Sequence, residues 1–481
     1  MANLKSLAKD TAIYGVSSIV GRFLNYLLVP LYTYTLKQCS DYGIVADLYA
    51  QTALLLVILT FGMETTFFRF INKEENPIQK MRVYSTSLIL VGGVALIFAI
   101  LVIIFLNPLT AMLGYTDHKW YVGMLYLCVA QDAWQAIMFA YLRNQHKAIK
   151  FACLKLTFIF LSISLNLMAF VIMPRIIPTW DISVKWVFVI NLICTTFISL
   201  CLYREWTGFH WTFDKKIAKQ MLSYTWPLLI LGIAGILNQV AGQIMLPRIL
   251  PIQEGRTQLG IYEACIKIAM IMALITQAFR YAYEPIVFGS SKEKNSKELY
   301  AKAMKYFILF TLAAFLCVVA YLDILQFIIG KNYRVGLRII PIAMAAEIMM
   351  GIVFNLSFWY KLIDKTIYGA WLSIAGAIVL FAVNFILIPK YGYIACAWAG
   401  FAGYATTMIL SYLLGQKHNP INYPLRSIFF HTLLAILLFI TMTLIPQNWN
   451  LLVTLSLKTL LVLVYLAVVI VPLLKKVKNE I

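Results

Sequence analysis

Charge is scarce in this 481-residue chain, and acid is the scarcer half: 20 Asp and Glu stand against 40 Lys and Arg, and charged residues make up 12% of the whole. Water-exposed loops are scarce as well. No connection between apolar runs exceeds about 20 residues, which excludes a soluble catalytic domain on either side of a membrane. Only five histidines occur. His118, His146, His210 and His418 lie at loops or helix ends, and His431 reads as a packing or interfacial residue on a late helix, so intramembrane acyl transfer through histidine lacks its base. Eight scattered cysteines, with no C-x-x-C, are neither a disulfide framework nor a metal site. A Gly-rich phosphate loop, a zinc spacing and a nucleophile elbow are all missing, which leaves ATP hydrolysis without support.

Apolar residues are what the chain has, at 62%. Runs of about 20 mostly apolar residues, each long enough to cross a bilayer, number fourteen: 11–34, 43–67, 83–106, 120–142, 151–173, 184–203, 222–247, 259–284, 303–322, 337–360, 367–388, 392–414, 427–445 and 450–473. The expected fold is all-α and polytopic. The first run is too long for a signal-peptide core and lacks a small-residue cleavage pattern, so it reads as a retained helix. With the N-terminus cytoplasmic, 25 of the 40 basic residues fall on the cytoplasmic side, 10 on the other side and five inside helices. That asymmetry assigns both termini to the cytoplasmic side of the membrane. The formal charge of +20 is then ordinary topology, and nucleic-acid binding is unnecessary to explain it. The charged run SSKEKNSKELYAKAMK (290–305) reads as a solvated loop against anionic headgroups.

A faint internal repeat runs through the chain. A shift of 217 residues lays Gly15 on Gly232, Pro30 on Pro247 and Gly43 on Gly260, and a shift of 215 relates VIMPR (171–175) to LIPK (387–390). Glycine and proline carry the match because they mark backbone constraints. The repeat predicts a six-helix lobe over 1–210, a second over 211–420, and two appended helices over 421–481. Parallel repeats of this kind enclose a central pathway with alternating access.

Polar residues recur on single helix faces. Gly15, Ser18, Arg22 and Asn25 form one stripe; Asp47, Gln51, Gly62, Thr65 and Arg69 form another, with Arg69 about 33 Å beyond Asp47 along a straight helix. Asp132, Gln135, Phe139 and Arg143 make a third, and Lys155, Ser162 and Asn166 a fourth. The later half offers Gly235, Gln239 and Gln243, then Glu263, Lys267, Gln277, Arg280 and Glu284. Lys155 and Lys458 are placed to snorkel toward an interface, and Glu263 with Lys267 one turn apart is also a structural ion pair. Small residues in CAWAGFAG (396–403) suit close helix packing.

Arg22 sits mid-helix with no acid three or four positions away, where an arginine costs about 2.5–3.5 kcal/mol on insertion scales. Two readings stay open: an interhelical pair with Asp47, Asp132 or Glu347, or a cation facing a lumen that receives an anion. Guanidinium offers paired donors and stays charged, which suits phosphate. Arg22, Arg69, Lys267 and Arg280 are therefore the candidate cationic lumen, with Asn25, Gln51, Gln239 and Gln243 as its polar lining. Asp47, Asp132, Glu263 and Glu347 are candidates for H⁺ or Na⁺ coupling or for charge balance. No other cofactor is expected.

YGVSSIVGRFLNYLLVPLYTYTL (14–36), DYGIVADLYA (41–50), LTFGMETTFFRF (59–70) and NFILIPKYGYIACAWAGFAGYA (384–405) together resemble bacterial polysaccharide flippases of the multidrug/oligosaccharidyl-lipid/polysaccharide superfamily. The resemblance implies export of an undecaprenyl-pyrophosphate-linked oligosaccharide, as in O-antigen and lipopolysaccharide synthesis, through a two-lobe cationic cavity open sideways for the lipid tail. Membrane lipids, a glycan polymerase and assembly proteins are the implied partners. Arg22 and Arg69 stand where family members often carry basic residues. Gln239 opposite Arg22 departs from the related flippases of the peptidoglycan precursor and favours a surface glycan. Two competing expectations are a cation-coupled drug exporter, which favours an acidic cavity, and a membrane glycan-modifying enzyme, whose polymerase form needs a large outer loop.

Overall fold

A computed structural model describes residues 26–289, 296–363, 365, 367–446 and 449–480. It is 88% helical, with no strand among the described residues. Among the described residues, eleven helices are long and apolar enough to cross a membrane. A twelfth expected span, 259–284, is a pair of helices, Ile252–Ala269 and Ile271–Arg280, bent by 43°. A thirteenth is the shorter apolar helix Lys185–Cys201. The first expected span lies mostly outside the described residues, which take it up as the helix Leu28–Thr35. The chain is thus a multi-pass membrane protein, because in hydrocarbon only a helix satisfies its own backbone.

Local chemistry sets where these helices begin. Asn76 accepts from the Ile78 amide ahead of Pro77, so Pro77–Ile104 opens on a side-chain cap with proline where no donor is needed. Asp214 accepts from the Lys216 and Ile217 amides and starts the 35-residue helix Lys215–Ile249. Gln38 and Asp41 form a capping box at the head of Cys39–Thr60.

The chain groups into two compact units, residues 1–260 and 261–481. In the first, Phe67, Tyr84, Leu88, Ile137 and Met221 are all buried in one apolar core to which seven of the described helices contribute. In the second, Tyr283, Tyr300 and Phe358 centre a smaller core. There the helices Ile367–Tyr391 and Tyr393–His418 run back to back through a glycine contact, with a Cβ on Gly403 falling 3.1 Å from the Gly376 carbonyl oxygen. Gly403 closes CAWAGFAG, and small size is what permits the approach.

The straight span read at 43–67 is broken. Cys39–Thr60 ends on Phe61 (φ 37°) and Gly62 (φ 73°), both left-handed, and Met63–Ile71 starts a new direction. Gly62 has a second constraint, since a Cβ there would lie 2.8 Å from Leu228 Cβ. Gly62→Val should therefore combine a left-handed penalty of about 1–2 kcal/mol with overpacking of about 1–3 kcal/mol. In detergent its thermal midpoint, followed by tryptophan fluorescence, should fall by several degrees. Gly93→Ala, with no heavy atom within 4 Å of the added carbon, should not move it.

Candidate functional site

Arg22 and Asn25 lie outside the described residues. The remaining candidates fall into separate groups within the two units.

In the first unit, Cys39–Thr60 brings Asp47 and Gln51 to one face, a turn apart, and both are buried. Asp47 accepts from the Tyr115 hydroxyl at 2.8 Å and from Arg248 Nη1 at 2.9 Å. Gln51 accepts from the Tyr126 hydroxyl at 2.7 Å. Arg256 lies 4.1 Å over the Tyr115 ring and donates to the Gly114 carbonyl at 2.7 Å. Gln253 donates to Ser40 at 3.3 Å. Arg248, Arg256, Tyr115 and Tyr126 were invisible to helical spacing because each reaches this cluster from a distant part of the chain. Their nearest sequence signals are Pro247 and Gly260, the repeat positions that bracket the two arginines.

Within this cluster two backbones meet. A Cβ on Gly43 would overlap the Arg256 carbonyl oxygen and lie 2.7 Å from its carbon. A Cβ on Gly260 would overlap the Cys39 carbonyl oxygen and lie 3.0 Å from Gly43 N.

Further along the first unit, Arg69 is exposed in the last turn of Met63–Ile71, with its guanidinium 4.1 Å over the Tyr224 ring. It has no carboxylate partner among the described residues. Glu64, which helical spacing did not single out, pairs with Arg143. Lys155 is exposed, with its ammonium 4.0 Å over the Phe139 ring. Asp132 is half-buried on Lys119–Asn144. Beside it, Gln135 donates to Ser199 at 2.8 Å and to the Thr195 carbonyl at 3.0 Å, and Asn191 donates to Tyr49 at 2.6 Å. On Lys215–Ile249, Gln239 is exposed and Gln243 half-buried.

In the second unit, Glu263 is buried against Lys267 in an ion pair one turn apart. Arg280 stacks 4.8 Å over Phe354, a ring that Lys361 also approaches at 5.0 Å. Glu347 is half-buried, with no hydrogen-bond or ion-pair partner among the described residues. Two turns along its own face stands Asn355, which donates to the Gly351 carbonyl at 3.0 Å while its Oδ1 is buried without a partner among the described residues. Thr276 Oγ1 is orphaned in the same way and would lie 3.1 Å from a Cβ on Gly351. Lys458, expected to snorkel outward, instead donates to Asp323 at 2.5 Å, with Tyr321 and Thr459 bonded alongside at 2.9 Å. The acid that overturned the expectation lies 135 residues away in sequence.

Residues 7–286 match the family model described as "Polysaccharide biosynthesis protein". Comparison with curated proteins finds no match. Among solved structures, the fold is similar to "Lipid II flippase MurJ, inward closed conformation", with a TM-score of 0.76 at 13% identity, covering 96% of this chain and 100% of that one. It is also similar to an inward-facing multidrug resistance MATE family transporter of the MOP superfamily, with a TM-score of 0.66 at 13% identity over 82% of this chain and 93% of that one. The MATE multidrug transporter DinF-BH gives 0.59 at 15% identity, over 88% and 96% of the two chains. These relatives are flippases and transporters rather than enzymes. With the matched model covering more than half of its length, the chain belongs to the polysaccharide biosynthesis protein family and carries the fold of the MOP exporter superfamily.

Proposed function

We propose that the protein flips an undecaprenyl-pyrophosphate-linked oligosaccharide across the bacterial inner membrane by alternating access, supplying surface polysaccharide synthesis. Its termini are cytoplasmic, and its lobes are residues 1–210 and 211–420, with 421–481 appended. The cationic lumen is Arg22, Arg69, Lys267 and Arg280, lined by Asn25, Gln51, Gln239 and Gln243. A glycan polymerase and assembly proteins take the product onward.

The observation that carries this reading is Arg69. Stacking on Tyr224 engages the face of the guanidinium and leaves its edge donors for the paired oxygens of a phosphate. An exposed arginine held in place, without a described carboxylate, is suited to an anionic headgroup and unsuited to a cationic drug. Family membership supports a glycan on that headgroup.

Glu347 is the coupling acid we favour. A carboxylate without a basic partner among the described residues in a membrane helix needs a counter-charge. Hard monovalent cations take oxygen ligands of this kind. Asp47, by contrast, has both carboxylate oxygens engaged, and Glu263 is engaged by Lys267; charge balance is the role we assign to both. Asp132 is retained as a second coupling candidate.

Two measurements test these assignments. Arg69→Ala and Arg22→Ala should each lower surface-glycan export at least tenfold, with normal protein abundance and with lipid-linked glycan accumulating in the inner leaflet. Undiminished export by either variant would remove that arginine from the substrate path, and drug resistance without a glycan defect would sink the flippase reading. For the cation, NaCl at ten times the dissociation constant should stabilise purified protein by about 1.4 kcal/mol relative to choline chloride. Glu347→Gln should abolish that shift; its persistence would eliminate the site.

A further inference from the structure

Small residues recur along one side of Pro77–Ile104, at Gly92, Gly93, Ala95 and Ala99. Beside them the first unit carries a groove of about 680 Å³, within the roughly 300–1,000 Å³ typical of ligand sites. Its opposite wall is Leu127, Gln131 and Trp134 on Lys119–Asn144, with Leu192 on Lys185–Cys201. A Cβ on Gly92 would lie 2.9 Å from Trp134 Nε1, so glycine is what lets the indole close that wall. A Cβ on Gly93 would meet no heavy atom within 4 Å. Gln131 gives its amide oxygen to Ser199 at 3.2 Å, and the lining is otherwise apolar.

The depth of the groove matches one leaflet. From Leu88 to Ala99 its lining rises about 16 Å along the helix, close to half of a hydrocarbon core of about 30 Å. Trp211 stands at the Leu88 end, in a connection that the basic-residue count assigns to the cytoplasmic side. That segment is pinned in place. The Thr212 amide donates to Ser85 at 2.7 Å, the Asp214 amide to Thr86 at 3.2 Å, and the Trp211 indole to the Trp206 carbonyl at 3.1 Å. Tryptophan is favoured at headgroup level, where one part of its ring is wet and the rest is not. Arg82, one turn before Ser85 and Thr86, and Lys215 and Lys216, directly after Asp214, are exposed at this same mouth.

We propose that this groove holds one acyl chain of an anionic phospholipid of the cytoplasmic leaflet, with the phosphate among Arg82, Lys215 and Lys216. Inside a bilayer apolar surface gains nothing by leaving one hydrocarbon for another, so a lipid is retained by van der Waals fit and by headgroup charge. Both are present here. A flexible chain fills space that rigid side chains leave open and recovers the dispersion contacts that a void forfeits, while three cations meet its phosphate at the mouth. The site shares no residue with the cationic lumen proposed above and does not depend on what the protein carries.

The test is photolabelling of the full chain in phosphatidylcholine vesicles containing a trace of phosphatidylglycerol with a diazirine on one acyl chain. Peptide mass spectrometry should place the label near Leu88 and Trp211 when the diazirine adjoins the ester, and near Ala99 and Leu127 when it is at the methyl end. Gly93→Phe, which builds a ring into the open space, should lower labelling of these segments about tenfold. If that variant fails to accumulate, Ala99→Phe should remove the methyl-end label and spare the one near the ester. A phosphatidylcholine probe should label the wild type about fivefold less than the phosphatidylglycerol probe, and the combined variant Arg82→Gln, Lys215→Gln and Lys216→Gln should erase that difference. Equal labelling by the two probes, full labelling of the filled variants, or the opposite order of depth would each overturn the site. Displacement of the probe by undecaprenyl phosphate, at a concentration where unlabelled phosphatidylglycerol has no effect, would assign the groove to a polyisoprenoid tail and overturn it as well. The readout is label position rather than export, so failure here leaves the flippase reading standing.

Discussion

Inside a bilayer a polar group has no water to turn to, so every donor, acceptor and charge placed there must be answered by another part of the chain. Helices answer for the backbone. Side chains have to be answered one by one, and the answers are what hold distant parts of this sequence together. Asp47 needs Tyr115 and Arg248; Gln51 needs Tyr126; Lys458 needs Asp323. Each of these contacts joins segments at least 68 residues apart.

With acid so scarce, aromatic rings take on much of the work that carboxylates do elsewhere. Arg69 lies on Tyr224, Lys155 on Phe139, Arg256 on Tyr115, and Arg280 on Phe354. A ring and a carboxylate differ in what they leave behind. A carboxylate consumes the donor edge of a guanidinium and cancels its charge, whereas a ring steadies the plane and leaves both in place. Full ion pairs occur where the geometry is structural, as at Asp47 with Arg248 and at Asp323 with Lys458.

Much of the fold was legible in one dimension. Beyond the first, which lies mostly outside the described residues, the expected spans correspond to described helices, including the bent pair at 259–284 and the short helix at 184–203, because apolar length is a property of consecutive residues. The glycine pair of the repeat was legible too, as positions that a backbone constraint had marked. The bend at Phe61 and Gly62 was not: Gly62 sits inside an unbroken apolar run, and only Leu228 pressing against it shows why no side chain is tolerated. Glu64 went unnoticed because its partner, Arg143, comes from another helix.

By itself the sequence determined the medium, the rough limits of the described helices, the excess of base over acid, and some of the places where the backbone is constrained, Gly43 and Gly260 among them. Those properties depend on transfer free energies and backbone sterics, which act on each segment locally. Only the tertiary structure decided which polar residue answers which, that Gly43 and Gly260 meet each other, and that Arg248 rather than another base engages Asp47. Such pairings depend on distances between helices far apart in the chain, and periodicity within a helix carries no information about what stands opposite it.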